Sequence, residues 1–132
     1  MANKKILVVD DELDTRTFLS TLLETSGYIP VLAVDGKEGI LKARQLKPEL
    51  IILDVMMPEE GGIQLYRDIK NDAHLRNTPV IMLSGIAKKT FFHALNMLNL
   101  NTSKMVPEPE AYIEKPPEPE ELLAWTRSLL QT

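Results

Sequence analysis

The chain has 132 residues, 44% hydrophobic and 26% charged, the proportions of one soluble globular domain able to bury a core. Its net charge of −4 carries no electrostatic footprint for nucleic acid, so no direct nucleic-acid binding is expected. The absence of cysteine excludes disulfides, thiolate metal sites and a cysteine nucleophile, and no apolar stretch is long enough for a signal peptide or membrane span, so a cytoplasmic protein is expected.

Five short apolar runs alternate with segments of helical period. The first run, Ile6 to Val9, stops at Asp10-Asp11-Glu12. Residues 14 to 25 then place Phe18, Leu19, Leu22 and Leu23 on one helical face, and Gly27 is placed to end that helix. The second run is Ile29 to Val34. After it, residues 37 to 46 carry Ile40, Leu41 and Leu46 as an apolar face, and Pro48 cannot continue the helix. The third run, Leu50 to Leu53, closes on Asp54, and residues 63 to 71 form the next helix. The fourth, Val80 to Leu83, closes on Ser84-Gly85. A fourth helix, KKTFFHALNMLNL, is unusually apolar, and residues 99 to 110 after it are polar, Pro-containing and aperiodic, as a long loop would be. The fifth run, Tyr112-Ile113, leads into Glu114-Lys115-Pro116, and residues 119 to 130 make a last helix with Leu122, Trp125 and Leu129 at helical spacing.

Unbroken Val/Ile/Leu runs mark strands buried on both faces. The pattern predicts (βα)5, a three-layer α/β domain with helices on both faces of a parallel sheet, spanning residues 1–132 without a second domain. Ligands bind beyond the carboxyl ends of the strands in such sheets. The polar residues that end the runs therefore define a candidate site: Asp10 and Asp11, Asp54, Ser84, and Lys115.

Three carboxylates converging at one sheet edge repel one another, and a hard divalent cation removes that conflict. Mg2+ takes oxygen ligands, commonly one or two carboxylates with waters and a phosphate. Asp11 and Asp54 fit as direct ligands, with Asp10 acting through water and the Met56 backbone carbonyl adding an oxygen. The Ser84 hydroxyl and Lys115 ammonium can bind the oxygens of a phosphoryl group carried on Asp54. Each residue alone has a plainer reading. Asp10 or Asp11 can cap a helix, Ser84 can satisfy a turn, and Lys115 can be a solvated surface lysine. Asp54 resists such a reading, because an acid between Leu53 and Val55 is hard to place in solvent. Four such residues at four strand ends favour the joint interpretation.

The stretches KKILVVDDE, LIILDVMMP, VIMLSG and YIEKPPEPEEL resemble the receiver domain of two-component response regulators, in order and over nearly the whole chain. The resemblance implies a flavodoxin-like fold of strand order 2-1-3-4-5 and phosphotransfer onto Asp54 from a sensor histidine kinase, a phosphotransfer protein or a small acyl phosphate. It implies that Asp10, Asp11, Asp54 and the Met56 carbonyl hold Mg2+, that Lys115 binds phosphate, and that Pro116 follows a cis peptide. It further implies a switch in which Ser84 moves toward the phosphoryl group and Tyr112 turns inward. The face formed by the fourth helix, fifth strand and fifth helix would then dock a downstream protein or a second copy. Tyr112 also has the plainer reading of an edge-strand aromatic half packed on the core.

Several features depart from the family pattern. Thirty-one residues separate Ser84 from Lys115, more than the family usually shows by roughly two helical turns of about 3.6 residues each. The excess falls at about residues 86–110. The expectation is a helix packed beneath its own extended loop; a modified partner surface is the alternative. Gly61-Gly62 stands where the family often has an acid and a glycine, which is expected to affect only the turn into the third helix. Met56 and Ile86 are apolar where water access to the phosphorylated site is often tuned, so slow autodephosphorylation is expected. The chain is expected to act as a stand-alone receiver, with an excised domain as the alternative, and not as an enzyme on an external substrate. Two other functions stay open: a non-phosphorylated adaptor of the same fold, and a Mg2+-dependent aspartyl-phosphate phosphatase. The latter generally needs an acid two residues after its nucleophile, where this chain has Met56.

Overall fold

A computed structural model describes residues 4–57, 61–100 and 106–131. The elements are β1 (Lys5–Val9), α1 (Leu13–Thr25), β2 (Ile29–Ala33), α2 (Gly36–Leu46), β3 (Leu50–Asp54), α3 (Gly61–Lys70), β4 (Val80–Ser84), α4 (Lys88–Leu100), β5 (Ala111–Glu114) and α5 (Pro119–Leu130). All five strands pair in parallel in the order β2-β1-β3-β4-β5. This is the flavodoxin-like (βα)5 architecture. The long excursion expected after the fourth helix begins later than the composition suggested: α4 runs on to Leu100, and residues 101–105 of the expected loop lie outside the described residues.

Alternation along the strands builds two cores. Leu7, Val9, Ile51, Leu53, Val80 and Met82 face α2, α3 and α4, where they meet Ala43, Leu65, Tyr66, Ile69, Phe91 and Leu95. Ile6, Val8, Leu50, Ile52, Ile81 and Leu83 face the opposite way, onto Leu19 and Leu23 of α1 and Leu122 and Leu130 of α5. Because β3 and β4 are buried along their whole length, a polar residue at the end of either is held in place by apolar neighbours on both sides.

Local chemistry sets the helix ends. Gly27 takes φ 93° and closes α1 with a Schellman pair, its N–H donating to Glu24 O and that of Tyr28 to Leu23 O, each at 3.0 Å. The Asp35 carboxylate accepts from the Glu38 amide at 2.8 Å and starts α2, which ends at left-handed Lys47 before Pro48. The buried stripes keep Leu19, Leu23 and Leu122 from the sequence reading, with Leu22, Ile40 and Leu129 packed against the cores, but not its edge residues. Phe18, Leu41, Leu46 and Trp125 are exposed, whereas Leu19 and Leu23, Gly39 and Ala43, and Leu122, Thr126 and Leu130 carry the contacts. In α2 the cause is close approach. A Cβ on Gly39 would stand 3.1 Å from both Val9 and Leu65 side chains, so small residues form the seam and Leu41 turns outward. In α4, Phe91 and Leu95 are buried, Phe92 packs on their edge and Leu98 is half-buried, while Met97 and Leu100 are exposed. The helix is therefore amphipathic, not buried all round.

Candidate functional site

The carboxyl ends of β1, β3 and β4 meet at one edge of the sheet, and the residue that follows β5 reaches into the same place. Asp10 follows β1 and is buried. Its Oδ1 accepts from the Glu12 amide at 2.8 Å, its N–H donates to Ala33 O, and its carbonyl accepts from Arg16 Nη1 at 2.7 Å. Asp54 ends β3 and is also buried, with Oδ1 accepting from the Met56 amide at 2.9 Å. These backbone bonds fix both acids without neutralising them.

Lys115 enters from the far side. Its N–H donates to Ser84 O at 2.8 Å, which ties the chain after β5 to the end of β4, and the Lys115–Pro116 peptide is cis. The ammonium then lies among three acids: 2.9 Å from Glu12 Oε1, 3.0 Å from Asp10 Oδ2 and 3.3 Å from Asp54 Oδ2. Burial alone would push the ammonium's pKa down, but the hydrogen bonds and charges of Glu12, Asp10 and Asp54 more than reverse this and hold it above the ordinary lysine value. Burial pushes the Asp54 carboxyl up; the Met56 amide opposes it, the Asp10 charge adds to it, and Lys115 offsets part. Glu12, at the surface, is lowered by its bond to Lys115.

Carboxylate oxygens of Asp10, Glu12 and Asp54 come within 4.8 Å of one another. Asp11 is not in that group; it lines the neighbouring open cavity of about 410 Å³ with Glu12, Asp54, Met56, Gly85, Ile86 and Lys115. Glu12 is thus a residue of the site that strand-end reasoning passed over, although its position next to Asp10 and Asp11 was a usable signal. Asp10 Oδ2 is buried, and its partner among the described residues is the Lys115 ammonium at 3.0 Å. Three acids that share a single ammonium leave a hard, anionic set of oxygen donors, and Mg2+ fits it.

Ser84 is buried at the end of β4, its Oγ accepting from the Ile86 amide at 3.1 Å. Tyr112, two residues before the end of β5, is buried: its ring stacks on Phe91 at 4.9 Å and its hydroxyl donates to Ile86 O at 2.6 Å. Ile86 is therefore held by the side chains of both Ser84 and Tyr112. Burial pushes the Tyr112 phenol up, with the Ser84 hydroxyl acting in the opposite sense.

A family model for the response regulator receiver domain matches residues 6–127. The alkaline phosphatase synthesis transcriptional regulatory protein PhoP of Bacillus subtilis is 38% identical over 98% of this chain and 49% of its own length. The phosphate regulon transcriptional regulatory protein PhoB of Escherichia coli is 31% identical over 97% of the chain and 52% of its own. The chain thus spans about half the length of these curated relatives. Among solved structures, the chemotaxis protein CheY4 of Vibrio cholerae superposes with a TM-score of 0.83 at 26% identity, covering 97% of this chain and 99% of that one. The BeF3-activated receiver domain of Klebsiella pneumoniae RstA gives 0.78 at 25% identity, covering 97% and 99%.

Proposed function

The chain belongs to the response regulator receiver family, and from that premise we propose that Asp54 is the residue on which it accepts a phosphoryl group, with Mg2+ held by Asp10, Asp11, Asp54 and the Met56 carbonyl and with Glu12 beside them. Receiver domains work within two-component systems, bind Mg2+ in an acidic pocket and take their phosphoryl group from histidine kinases or phosphotransfer proteins. The observation that carries the residue assignment is the placement of Asp54: buried, at a strand end, open to the cavity and 3.3 Å from the Lys115 ammonium.

In the transfer an Asp54 carboxylate oxygen attacks the phosphorus of a phosphohistidine or a small acyl phosphate. The bond from phosphorus to the donor breaks, the donor leaves with the electron pair, and the phosphoryl group remains on Asp54 as an acyl phosphate. Mg2+, when bound, neutralises the acids and the phosphoryl oxygens. Lys115 supplies a fixed positive charge on the same oxygens, and Ser84 a hydroxyl. Recruitment of Ser84 would free the Ile86 amide it now accepts from, and so disturb the Ile86–Tyr112 contact. That makes residues 84–86 the connection between the phosphorylated acid and the α4–β5–α5 face, where a downstream protein or a second copy would dock. Met56 and Ile86 flank the cavity with apolar side chains, so neither orients an attacking water and the phosphorylated state persists.

Incubation with Mg2+ and acetyl phosphate tests this. One phosphoryl mass should be added, lost in Asp54→Asn, and it should survive many minutes after the donor is removed. Continuous phosphate release would favour a phosphatase instead, and no mass change a pure adaptor. Met56 stands where a phosphatase of this type carries its second acid, and the comparisons favour neither alternative.

A further inference from the structure

The turn into α3 brings a glycine hard against backbone. A Cβ built on Gly62 would overlap the carbonyl oxygen of Asp54 and stand 2.7 Å from Val55 Cα and 2.8 Å from Asp54 C. Atoms this close are backbone, which cannot rotate aside as a side-chain end can. The Gly62 N–H meanwhile donates to Val55 O at 3.1 Å, so the first turn of α3 is bonded to the peptide that follows the one it abuts. We propose that Gly62 is a positioning residue for the phosphoacceptor: the missing Cβ lets α3 close on the Asp54–Val55 peptide and thereby fixes the Asp54 carboxylate and the Met56 backbone.

The alternative is that α3 would simply slide away from a larger residue, and the rest of the helix opposes that. Leu65, Tyr66 and Ile69 are buried in the core beneath it. One and two turns on, the same face of the helix is tied down: the Tyr66 hydroxyl donates to Pro107 O at 2.6 Å, and Lys70 Nζ donates to Thr78 O at 3.1 Å. The displacement from a Cβ therefore falls on the strand end, where Asp54 Oδ1 depends on the Met56 amide for its orientation. A shift of about 1 Å at a reacting group can cost about 10²-fold in rate, so an error of this size is not absorbed silently. Glycine is required here by close approach and not by backbone twist, in contrast to Gly61, whose φ is 66°.

This inference rests on Asp54 being the Mg2+-assisted phosphoacceptor, and the experiment separates the two claims. Mg2+ is titrated calorimetrically into wild type, Gly62→Ala and Gly39→Ala at a temperature where circular dichroism shows each folded, and phosphorylation by acetyl phosphate is timed in parallel. Gly39→Ala is the control for mere destabilisation, since its Cβ meets only the side chains of Val9 and Leu65. Gly62→Ala should bind Mg2+ about tenfold more weakly or worse and phosphorylate correspondingly slowly, as losses of a supporting contact do, while Gly39→Ala keeps wild-type Mg2+ affinity. A folded Gly62→Ala with wild-type affinity and rate overturns the proposal. If that variant does not fold, amide spectra of the wild type decide: the Gly62 and Met56 amides should shift with Mg2+ at a common midpoint, and a stationary Gly62 amide overturns the positioning role. A wild type that neither binds Mg2+ nor takes a phosphoryl group overturns the functional reading itself.

Discussion

The acid cluster at the ends of β1 and β3 and the flank made by α4 and the start of β5 are held in place by opposite means. At the cluster, backbone amides aim each carboxylate, glycine at position 62 admits the neighbouring helix, and charge is left unbalanced, with one ammonium facing three acids. On the flank, position comes from packing and side-chain tethers. Phe91, Phe92 and Tyr112 form one aromatic group, and Asn99 clasps both the N–H and the C=O of Val106, at 2.8 and 2.9 Å. Tyr66 and Lys70 of α3 reach over to Pro107 and Glu110. The cluster concentrates unbalanced charge, whereas the flank is packed and tethered and meets the cluster's side of the molecule at one residue, Ile86.

Removing the central ring should damage the flank most. Phe91→Ala is expected to lower unfolding free energy in urea by about 3–5 kcal/mol, the usual cost of a buried aromatic, while Mg2+ affinity of the folded protein stays as in wild type. A parallel loss of Mg2+ binding would show that the two regions are not built independently. The opposite outcome is expected at the cluster. Asp10→Asn removes a buried charge from a group in which Glu12 and Asp54 still balance Lys115, so in Mg2+-free buffer it should stabilise, by about 1 kcal/mol. The same substitution should weaken Mg2+ binding. A variant less stable than wild type without Mg2+ would mean that the unbalanced charge on Asp10 is not a strain on the fold.

The cluster was largely legible in the sequence and the flank was not. Strand ends are marked by where an apolar run stops, so Asp10, Asp54, Ser84 and Lys115 announce themselves, and their gathering follows from a parallel sheet alone. Glu12 was missed because it lies three residues past β1, at the start of α1, where it reaches back by side-chain length and not by strand position. Gly62 read only as a turn residue, since closeness to a peptide eight residues away is a property of packing. The expected faces of α1, α2 and α5 held at Leu19, Leu22, Leu23, Ile40, Leu122 and Leu129 and failed at their edges, at Phe18, Leu41, Leu46 and Trp125, because neighbouring positions on a helix differ by about 100° and whichever packs closest decides. On the flank, the pairing of Tyr66 with Pro107 spans 41 residues and has no periodic signature.

That pairing offers the smallest test. Tyr66 is fully buried and burial pushes its phenol well above the ordinary tyrosine range, with the charges of Glu110 and Glu108 adding to the effect. A group whose folded pKa is raised contributes stability that is complete below its unfolded pKa, about 10, and is lost progressively as pH rises beyond it. Urea melts should therefore show stability level through neutral pH and declining above about pH 10, where the unfolded chain gains a phenolate that the fold refuses. Tyr66→Phe should cost about 1 kcal/mol at pH 7 through loss of the bond to Pro107 and should flatten the alkaline decline. Mg2+ binding should not change in either pH range accessible to the folded variant. An undiminished decline in Tyr66→Phe would assign the alkaline sensitivity to the other groups held above their ordinary values, the Tyr112 phenol and the Lys115 ammonium, and so move it from the anchored end of the flank toward Ile86 and the acid cluster.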